Sequence, residues 1–191
     1  NMKINLKVIT LFGIILTSMN IHSLQGLNVL TITTDDPQGY VEWLTENQPV
    51  FQAVQGDNAA AQGICSPSAG GVYTNEHYVW TISPSISAMM SNPGFFSNES
   101  VVKAISEISD KRKIIRRDLM YVVKETEVAP LGNTNAQYNL ISSTNDVAGY
   151  AAALTSMEEA ASENGFDDIK VALFGSLVGG DRALTVMASV Q

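Results

Sequence analysis

Two stretches of the chain repeat the same order of apolar and polar positions. NVLTITTDDPQGYVEWLTENQPV and YNLISSTNDVAGYAAALTSMEEA align at an offset of 110 residues and share the pattern T-x-D-x-x-G-Y-x-x-x-L-T. In each stretch an apolar run typical of a strand precedes an Asp suited to cap a helix, and apolar residues then recur at helical spacing. The pattern predicts strands over residues 28–34 and 138–144, with helices that begin after Asp36 and Asp146.

The similarity continues beyond the predicted helices. GICSPSAGG and LFGSLVGG both end in Gly-Gly, and strand-like runs follow at 78–82 and 183–188. In the first copy a helical region near residues 97–108 then leads into a strand at 119–123. The complete unit is therefore predicted to be β-α-β-β-α-β, the ferredoxin-like split βαβ arrangement.

This periodicity predicts an α+β protein built from tandem ferredoxin-like units, whose sheets pair as in an α/β barrel. We assign residues 27–124 to the first unit, 125–135 to a linker and 136–191 to the second unit. The second unit is incomplete, because only 11 residues follow Gly180. We therefore expect a chain truncated at its C-terminus, and Asn1 before Met2 suggests a reading frame extended past its initiator.

Residues 1–23 have the features of a secretory signal peptide. Lys3 and Lys7 form a positive region, residues 8–19 form an apolar run, and Ser23 is a small residue suited to the cleavage position. An uncleaved membrane anchor is the alternative, but the run is shorter than the roughly 20 residues that a spanning helix needs. The sequence thus predicts a secreted or periplasmic protein that has no membrane contact after cleavage.

Charge and cysteine content narrow the possible partners. Apolar residues make up 45% of the chain, enough for a folded core. Beyond residue 23, nine basic residues face nineteen acidic ones, a net charge of −10 that argues against nucleic acid as a partner. Cys65 is the single cysteine, so we interpret it as a half-buried hydrophobic residue. One cysteine and one remaining histidine do not predict a metal site.

The two capped strand–helix stretches and the Gly-Gly segments at residues 70–71 and 179–180 resemble the dimeric α/β-barrel superfamily. That superfamily includes antibiotic-biosynthesis monooxygenase-like, EthD-like and NIPSNAP-like proteins. The resemblance implies two ferredoxin-like sheets that pair between chains or between tandem copies, with a cleft in which some members bind haem or oxidise small aromatic molecules. The haem-binding tandem relatives place their histidine in the second copy, which here has none, so we predict no cofactor.

Candidate site residues come from an aromatic stretch and from the helices. Tyr78 and Trp80 share one face of a predicted strand and could line a small-molecule pocket. The further candidates for its walls are Tyr40, Trp43 and Tyr150. The alternative is that these aromatic side chains fill the core between sheet and helix.

His77 is a weak catalytic candidate, since histidine titrates near neutral pH. The alternative is a solvated histidine beside a turn, for which substitution by Ala would change stability little.

A basic cluster over residues 110–118 holds five of the nine basic residues that follow residue 23. We expect its lysines to complement a helix C-terminus and its arginines to lie on the exposed face of the next strand. An anionic ligand is the alternative.

Two functions remain open from the sequence. The first is a binding or assembly module for a small apolar or aromatic molecule, able to form a homo-oligomer. The alternative is a cofactor-independent, monooxygenase-like enzyme that acts on a small aromatic or apolar substrate.

Overall fold

A computed structural model describes residues 24–91, 94–126, 137–177 and 185–190 of the chain. These residues contain seven β-strands and four α-helices, together with two short 3-10 turns. The elements follow one another as β1 Gly26–Thr33, α1 Pro37–Gln55, β2 Ala61–Cys65, β3 Glu76–Ser83, α2 Ile86–Met90, α3 Glu99–Ser106, β4 Lys113–Lys124, β5 Tyr138–Ser143, α4 Val147–Glu163, β6 Val171–Ser176 and β7 Thr185–Val190.

All seven strands belong to one antiparallel sheet with the order β2-β3-β1-β4-β6-β7-β5. The first four strands and their helices follow the order β-α-β-β-α-β, so the predicted α+β class and the ferredoxin-like arrangement are confirmed. In the second half of the molecule (residues 137–190), β6-β7-β5 repeats the strand order β2-β3-β1 of the first half (residues 24–126). β4 joins the halves because it pairs with β1 on one side and with β6 on the other.

The predicted strand and helix positions at both repeated stretches are confirmed, down to the hydrogen bonds that start the helices. The Asp36 carboxylate accepts a hydrogen bond from the Gly39 N–H at 2.9 Å, and Asp146 accepts one from Gly149 at 2.8 Å. A Cβ atom on either glycine would collide with the capping carboxylate. The glycines of the repeated pattern are thus required by the caps.

The threonine of each repeat supports the same turn. Thr34 Oγ1 accepts the N–H of Asp36 at 3.2 Å, and Thr144 Oγ1 accepts the N–H of Asp146 at 3.0 Å. These short-range bonds depend on sequence alone, so both halves form them.

The main core lies between the sheet and the helices of the first half. α1 contributes large aromatic side chains, α3 contributes its apolar face, and Trp43 Nε1 donates a hydrogen bond to the Ala104 carbonyl at 3.1 Å. The buried members of this core are Ile32, Tyr40, Trp43, Phe51, Val101, Ala104 and Ile108.

A smaller core lies between α4 and the second half of the sheet. Its buried residues are Leu173, Val186 and Ala188, and half-buried side chains of α4 pack on them. No residue of α4 itself is buried. The second half therefore has a thinner core than the first.

The basic cluster departs from its prediction. Arg116 and Arg117 are neighbours in β4 and point to opposite faces of the sheet, because side chains alternate along a strand. Arg116 is half-buried, so the expectation that both arginines lie on one exposed face is wrong. Arg112 is half-buried and packs on two rings of α1, with its Cζ 5.8 Å from the ring centre of Tyr40 and 5.7 Å from that of Trp43.

Several predictions lie wholly or partly outside the described residues. These are the signal segment at 1–23, most of the linker and the Gly-Gly pair at 179–180.

Within the described ranges, no helix has the length and apolar character needed to cross a membrane. Cys65 is half-buried in β2, as predicted.

Candidate functional site

The sheet has two faces, and the helices lie on only one of them. Ile32 and Val79 pack into the core with α1 and α3. The strand register pairs Ile32 with His77 and pairs Thr31 with Tyr78. Because side chains alternate, Thr31 and Tyr78 point to the opposite side, which we call the helix-free face.

On the helix-free face two neighbouring rows of side chains cross four strands. The register sets Tyr78 opposite both Thr31 and Cys65, and it sets Trp80 opposite both Val29 and Gly63. β4 extends each row by one residue. The first row is Cys65, Tyr78, Thr31 and Arg116, and the second row is Gly63, Trp80, Val29 and Asp118.

The indole of Trp80 lies over the backbone of Gly63. A Cβ atom at Gly63 would come within 2.6 Å of Trp80 Cζ2, so any larger residue would force the ring to move. Glycine at this position lets the ring lean toward β2. The half-buried Trp80 and Tyr78 thereby give this face an aromatic surface.

An ion pair lies at the β4 end of the same two rows. Arg116 Nε donates to Asp118 Oδ2 at 2.7 Å, and Arg116 Nη2 contacts Thr31 Oγ1 at 3.4 Å. The side chains of Arg116 and Asp118 are 29% and 12% exposed. The pair is thus largely shielded from water. Thr31 of the neighbouring strand β1 holds the Arg116 guanidinium in place.

Glu76 adds a second carboxylate to the helix-free face. It is buried and accepts the backbone N–H groups of Val72 at 2.8 Å and Tyr73 at 3.0 Å. Burial acts to raise the pKa of Glu76, but hydrogen bonds from Tyr78 and from the backbone outweigh it, so the pKa lies below its usual value. Glu76 is therefore ionised at neutral pH and complements the charge of Arg116.

His77 lies on the helix side of the sheet, away from Trp80. It is 6% exposed, which overturns the expectation of a solvated residue beside a turn. It is buried because it pairs with Ile32, which is 0% exposed. The prediction that His77→Ala changes stability little assumed that His77 lies at the surface. Because His77 is buried, that assumption does not hold.

The His77 imidazole has one hydrogen-bond partner among the described residues. Nδ1 lies 2.8 Å from Ser66 Oγ, whereas Nε2 is buried without a partner. Burial lowers the pKa of His77, so the neutral ring predominates at pH 7.

The remaining candidates do not join the helix-free face. Tyr40 and Trp43 lie in the helix–sheet core with ring centres 5.4 Å apart, and Tyr40 receives a 2.7 Å hydrogen bond from Arg112. Burial raises the pKa of Tyr40, and Arg112 opposes that rise. Tyr150 is half-buried in the second half, with its hydroxyl 3.4 Å from Ser142 Oγ. Of the five aromatic candidates, only Tyr78 and Trp80 lie on the helix-free face, and the binding roles of all five stay predictions.

Sequence reasoning did not place Thr31, Glu76, Arg116 and Asp118 beside Tyr78 and Trp80, although it weighed the cluster at residues 110–118 as a site for an anionic ligand. The R-x-D spacing of residues 116 and 118 in a strand does place both side chains on one face. That spacing does not show which other strands lie beside β4, so no signal in the sequence linked the pair to Trp80.

Among the described residues, no three His, Cys, Asp or Glu side chains cluster as metal ligands.

No protein-family model matches the sequence, and no curated protein is similar to it. The fold does resemble solved structures. A candidate monooxygenase from Fusobacterium nucleatum subsp. nucleatum is 14% identical, with a TM-score of 0.54 over 89% of this chain and 76% of that one. A candidate monooxygenase from Lactobacillus acidophilus is 10% identical, with a TM-score of 0.52 over 88% of this chain and 76% of that one. Such low identity shows a shared fold and leaves function open.

Proposed function

We propose that the helix-free face of β3, β1 and β4 binds a small aromatic or apolar molecule. The observation that carries this proposal is the position of Tyr78 and Trp80 in the same two rows as the Arg116–Asp118 ion pair. Small-molecule sites commonly combine an aromatic surface with a few fixed polar groups. Here the aromatic rings supply the contact area, and the ion pair supplies orientation.

The rest of the architecture supports the same proposal. Duplication of one ferredoxin-like unit, with the second copy incomplete, is supported by the strand order and the helix-capping bonds that the two halves share. The two copies form the two sides of a barrel-type sheet, whose inner surface is the helix-free face.

We infer that the protein is exported, because residues 1–23 combine a positively charged start with an apolar run. The intact mass of protein recovered outside the cytoplasm tests this point. A mature chain that begins near residue 24 is expected, and a chain that keeps all 23 residues contradicts export with cleavage.

Tryptophan fluorescence tests the binding site directly, because the chain has two tryptophans. Trp80 of β3 lies on the helix-free face, and Trp43 of α1 lies in the helix–sheet core on the other side. Trp43→Phe leaves Trp80 as the reporter on the helix-free face, and Trp80→Phe leaves Trp43 as a matched reporter in the core. With 1-naphthol as the probe, we expect saturable quenching in Trp43→Phe and little in Trp80→Phe. Equal quenching of both variants contradicts the proposed site.

Arginine variants test the polar end of the site. Arg116→Gln removes the guanidinium on the helix-free face, whereas Arg117→Gln removes its neighbour on the opposite face. Naphthol affinity is expected to fall in the first variant and to stay unchanged in the second. An equal fall in both would show that general charge is responsible.

The second candidate function is a cofactor-independent monooxygenase-like activity. The observation that favours it is the presence of two carboxylates, Glu76 and Asp118, beside the aromatic rings, and two proteins of this fold are named as candidate monooxygenases. A carboxylate would take a proton from an activated CH2 group. With O2 that group becomes C=O and releases one water molecule. Oxygen uptake with anthrone, compared between the native chain and Asp118→Asn, tests the activity.

A further inference from the structure

Ser66 and His77 form a hydrogen-bonded pair that the proposed function does not use. β2 ends at Cys65, which lies opposite Tyr78 in β3, so the next residue along the chain comes opposite His77. Because side chains alternate along a strand, His77 points away from the helix-free face. Ser66 Oγ lies 2.8 Å from His77 Nδ1. The pair is thus separate from the aromatic rings of the proposed binding site.

The two partners differ in their access to solvent. Ser66 is exposed in the loop that follows β2, whereas His77 is 6% exposed. His77 lies beside Ile32 of β1, which is 0% exposed. A reagent in solution can therefore reach the Ser66 hydroxyl, while the imidazole behind it is held in the interior.

The imidazole is in a form that accepts a proton. Burial lowers the pKa of His77, so the ring is neutral at pH 7. A neutral ring has two tautomers, and in one of them Nδ1 accepts the hydrogen bond from the Ser66 hydroxyl. His77 Nε2 is buried without a partner among the described residues, so no second hydrogen bond holds the ring in the other tautomer.

This geometry matches that of an activated nucleophile. A serine hydroxyl is a weak nucleophile by itself, and a base within hydrogen-bond reach, about 2.6–3.2 Å, activates it by taking its proton. The Ser66–His77 distance lies within that range. The exposed hydroxyl and the buried base together supply what an attack on a carbonyl carbon needs.

We propose that Ser66 is a site of acylation by small activated acyl compounds, namely esters or thioesters, with His77 as the base. The Ser66 oxygen attacks the carbonyl carbon and forms a new C–O bond, and its proton passes to His77 Nδ1. The bond between the carbonyl carbon and the leaving oxygen or sulfur then breaks, and the leaving group takes the proton from His77. The step transfers an acyl group, and no atom is oxidised or reduced.

The full chain with p-nitrophenyl acetate tests the proposal, because acetylation releases coloured p-nitrophenolate. Peptide mass mapping is expected to find the acetyl group on Ser66 and little on Ser68, which is exposed in the same loop. Ser66→Ala should abolish this acetylation, and Ser68→Ala should leave it unchanged. In folded His77→Gln, Ser66 should react at least about tenfold more slowly, because general-base catalysis commonly contributes more than that.

Unfolding in urea gives a second measurement that leaves both side chains intact, so it also decides the matter where His77→Gln fails to fold. Unfolding separates Ser66 from His77, and the acetylation rate of Ser66 should fall to that of Ser68. Equal rates at the two serines of the folded chain would overturn the proposal. An unchanged rate in folded His77→Gln, or acetylation at Cys65 in place of Ser66, would overturn it as well.

Discussion

In the first half of the molecule α1 buries Tyr40, Trp43 and Phe51, whereas in the second half α4 buries no residue. The two helices start with the same capping hydrogen bonds, and the strands before them end at equivalent positions. The difference arises from what surrounds each helix. α3 and β4 cover the first half, and no described element takes their place in the second half.

This comparison teaches that local structure and burial have separate causes. Capping bonds act within a few residues and form wherever the motif occurs. Burial of apolar surface requires other elements to arrive from elsewhere in the chain, and it contributes most of the stability of a core. Three pairs of measurements test how far the halves differ, and a pH measurement on the first half follows them, from the largest expected effect to the smallest.

The paired tyrosines should show the largest difference. Tyr40→Ala removes a buried ring and its bond to Arg112, and it is expected to lower the free energy of unfolding by about 3 kcal/mol or more. Tyr150→Ala removes a half-buried ring and should cost about 1 kcal/mol. Urea unfolding of both variants measures the difference. Equal losses would show that the second core is as tightly packed as the first.

The paired leucines test the sheet in the same way. Leu30 packs against the main core, so Leu30→Ala should cost about 2 kcal/mol. Leu140 is 56% exposed, and Leu140→Ala should change stability by only about 0.5 kcal/mol or less. Thermal unfolding checks both values. A large loss at Leu140 would mean that this side chain is covered in solution.

The capping residues should instead behave alike. Asp36→Ala and Asp146→Ala each remove one capping acceptor, and each is expected to cost about 1 kcal/mol. Asp36→Asn and Asp146→Asn keep an oxygen acceptor and serve as matched controls with smaller losses. Urea midpoints that differ strongly between the two Ala variants would contradict equal caps.

The smallest effect concerns pH and is confined to the first half. The pKa of His77 in the folded state lies below its usual value of 6.5, because burial disfavours the charged ring. The unfolded chain therefore binds more protons below pH 6.5, and stability falls as pH drops from that value toward the folded pKa. His77→Gln should flatten this part of the stability profile, measured by urea unfolding at several pH values. An unchanged profile would show that His77 is not the group responsible.

Glu76 is expected to cause a second loss of stability at a lower pH than the loss caused by His77. Its folded pKa lies below 4.5, so its contribution is present above that value and is lost as pH falls through the folded pKa. Glu76→Gln should remove the pH dependence only in this lower window, and it should lower stability at every pH above that window.

Local features of the fold were predicted well from the sequence. The strands before Asp36 and Asp146, both helix starts and the shared face of Tyr78 and Trp80 follow from spacing within one segment. Each depends on alternation or on bonds between near neighbours, which the order of residues expresses directly.

The candidate site was predicted only in part. Tyr78 and Trp80 were identified, but the position of Arg116 and Asp118 beside them depends on β4 pairing with β1. The burial of His77 likewise depends on its pairing with Ile32, and Tyr40 and Trp43 fill the core because α3 packs against α1. Pairings over such distances in the chain leave no local pattern.

The sequence by itself determined the secondary structure, the caps and the acidic character of this protein, because each is a property of single residues or of short spacings. Tertiary structure alone decided which face of the sheet carries the ion pair and which helix is buried, since both depend on the strand order around β4. A single strand that pairs with β1 on one edge and β6 on the other thus sets the contrast between a covered first half and an open second half.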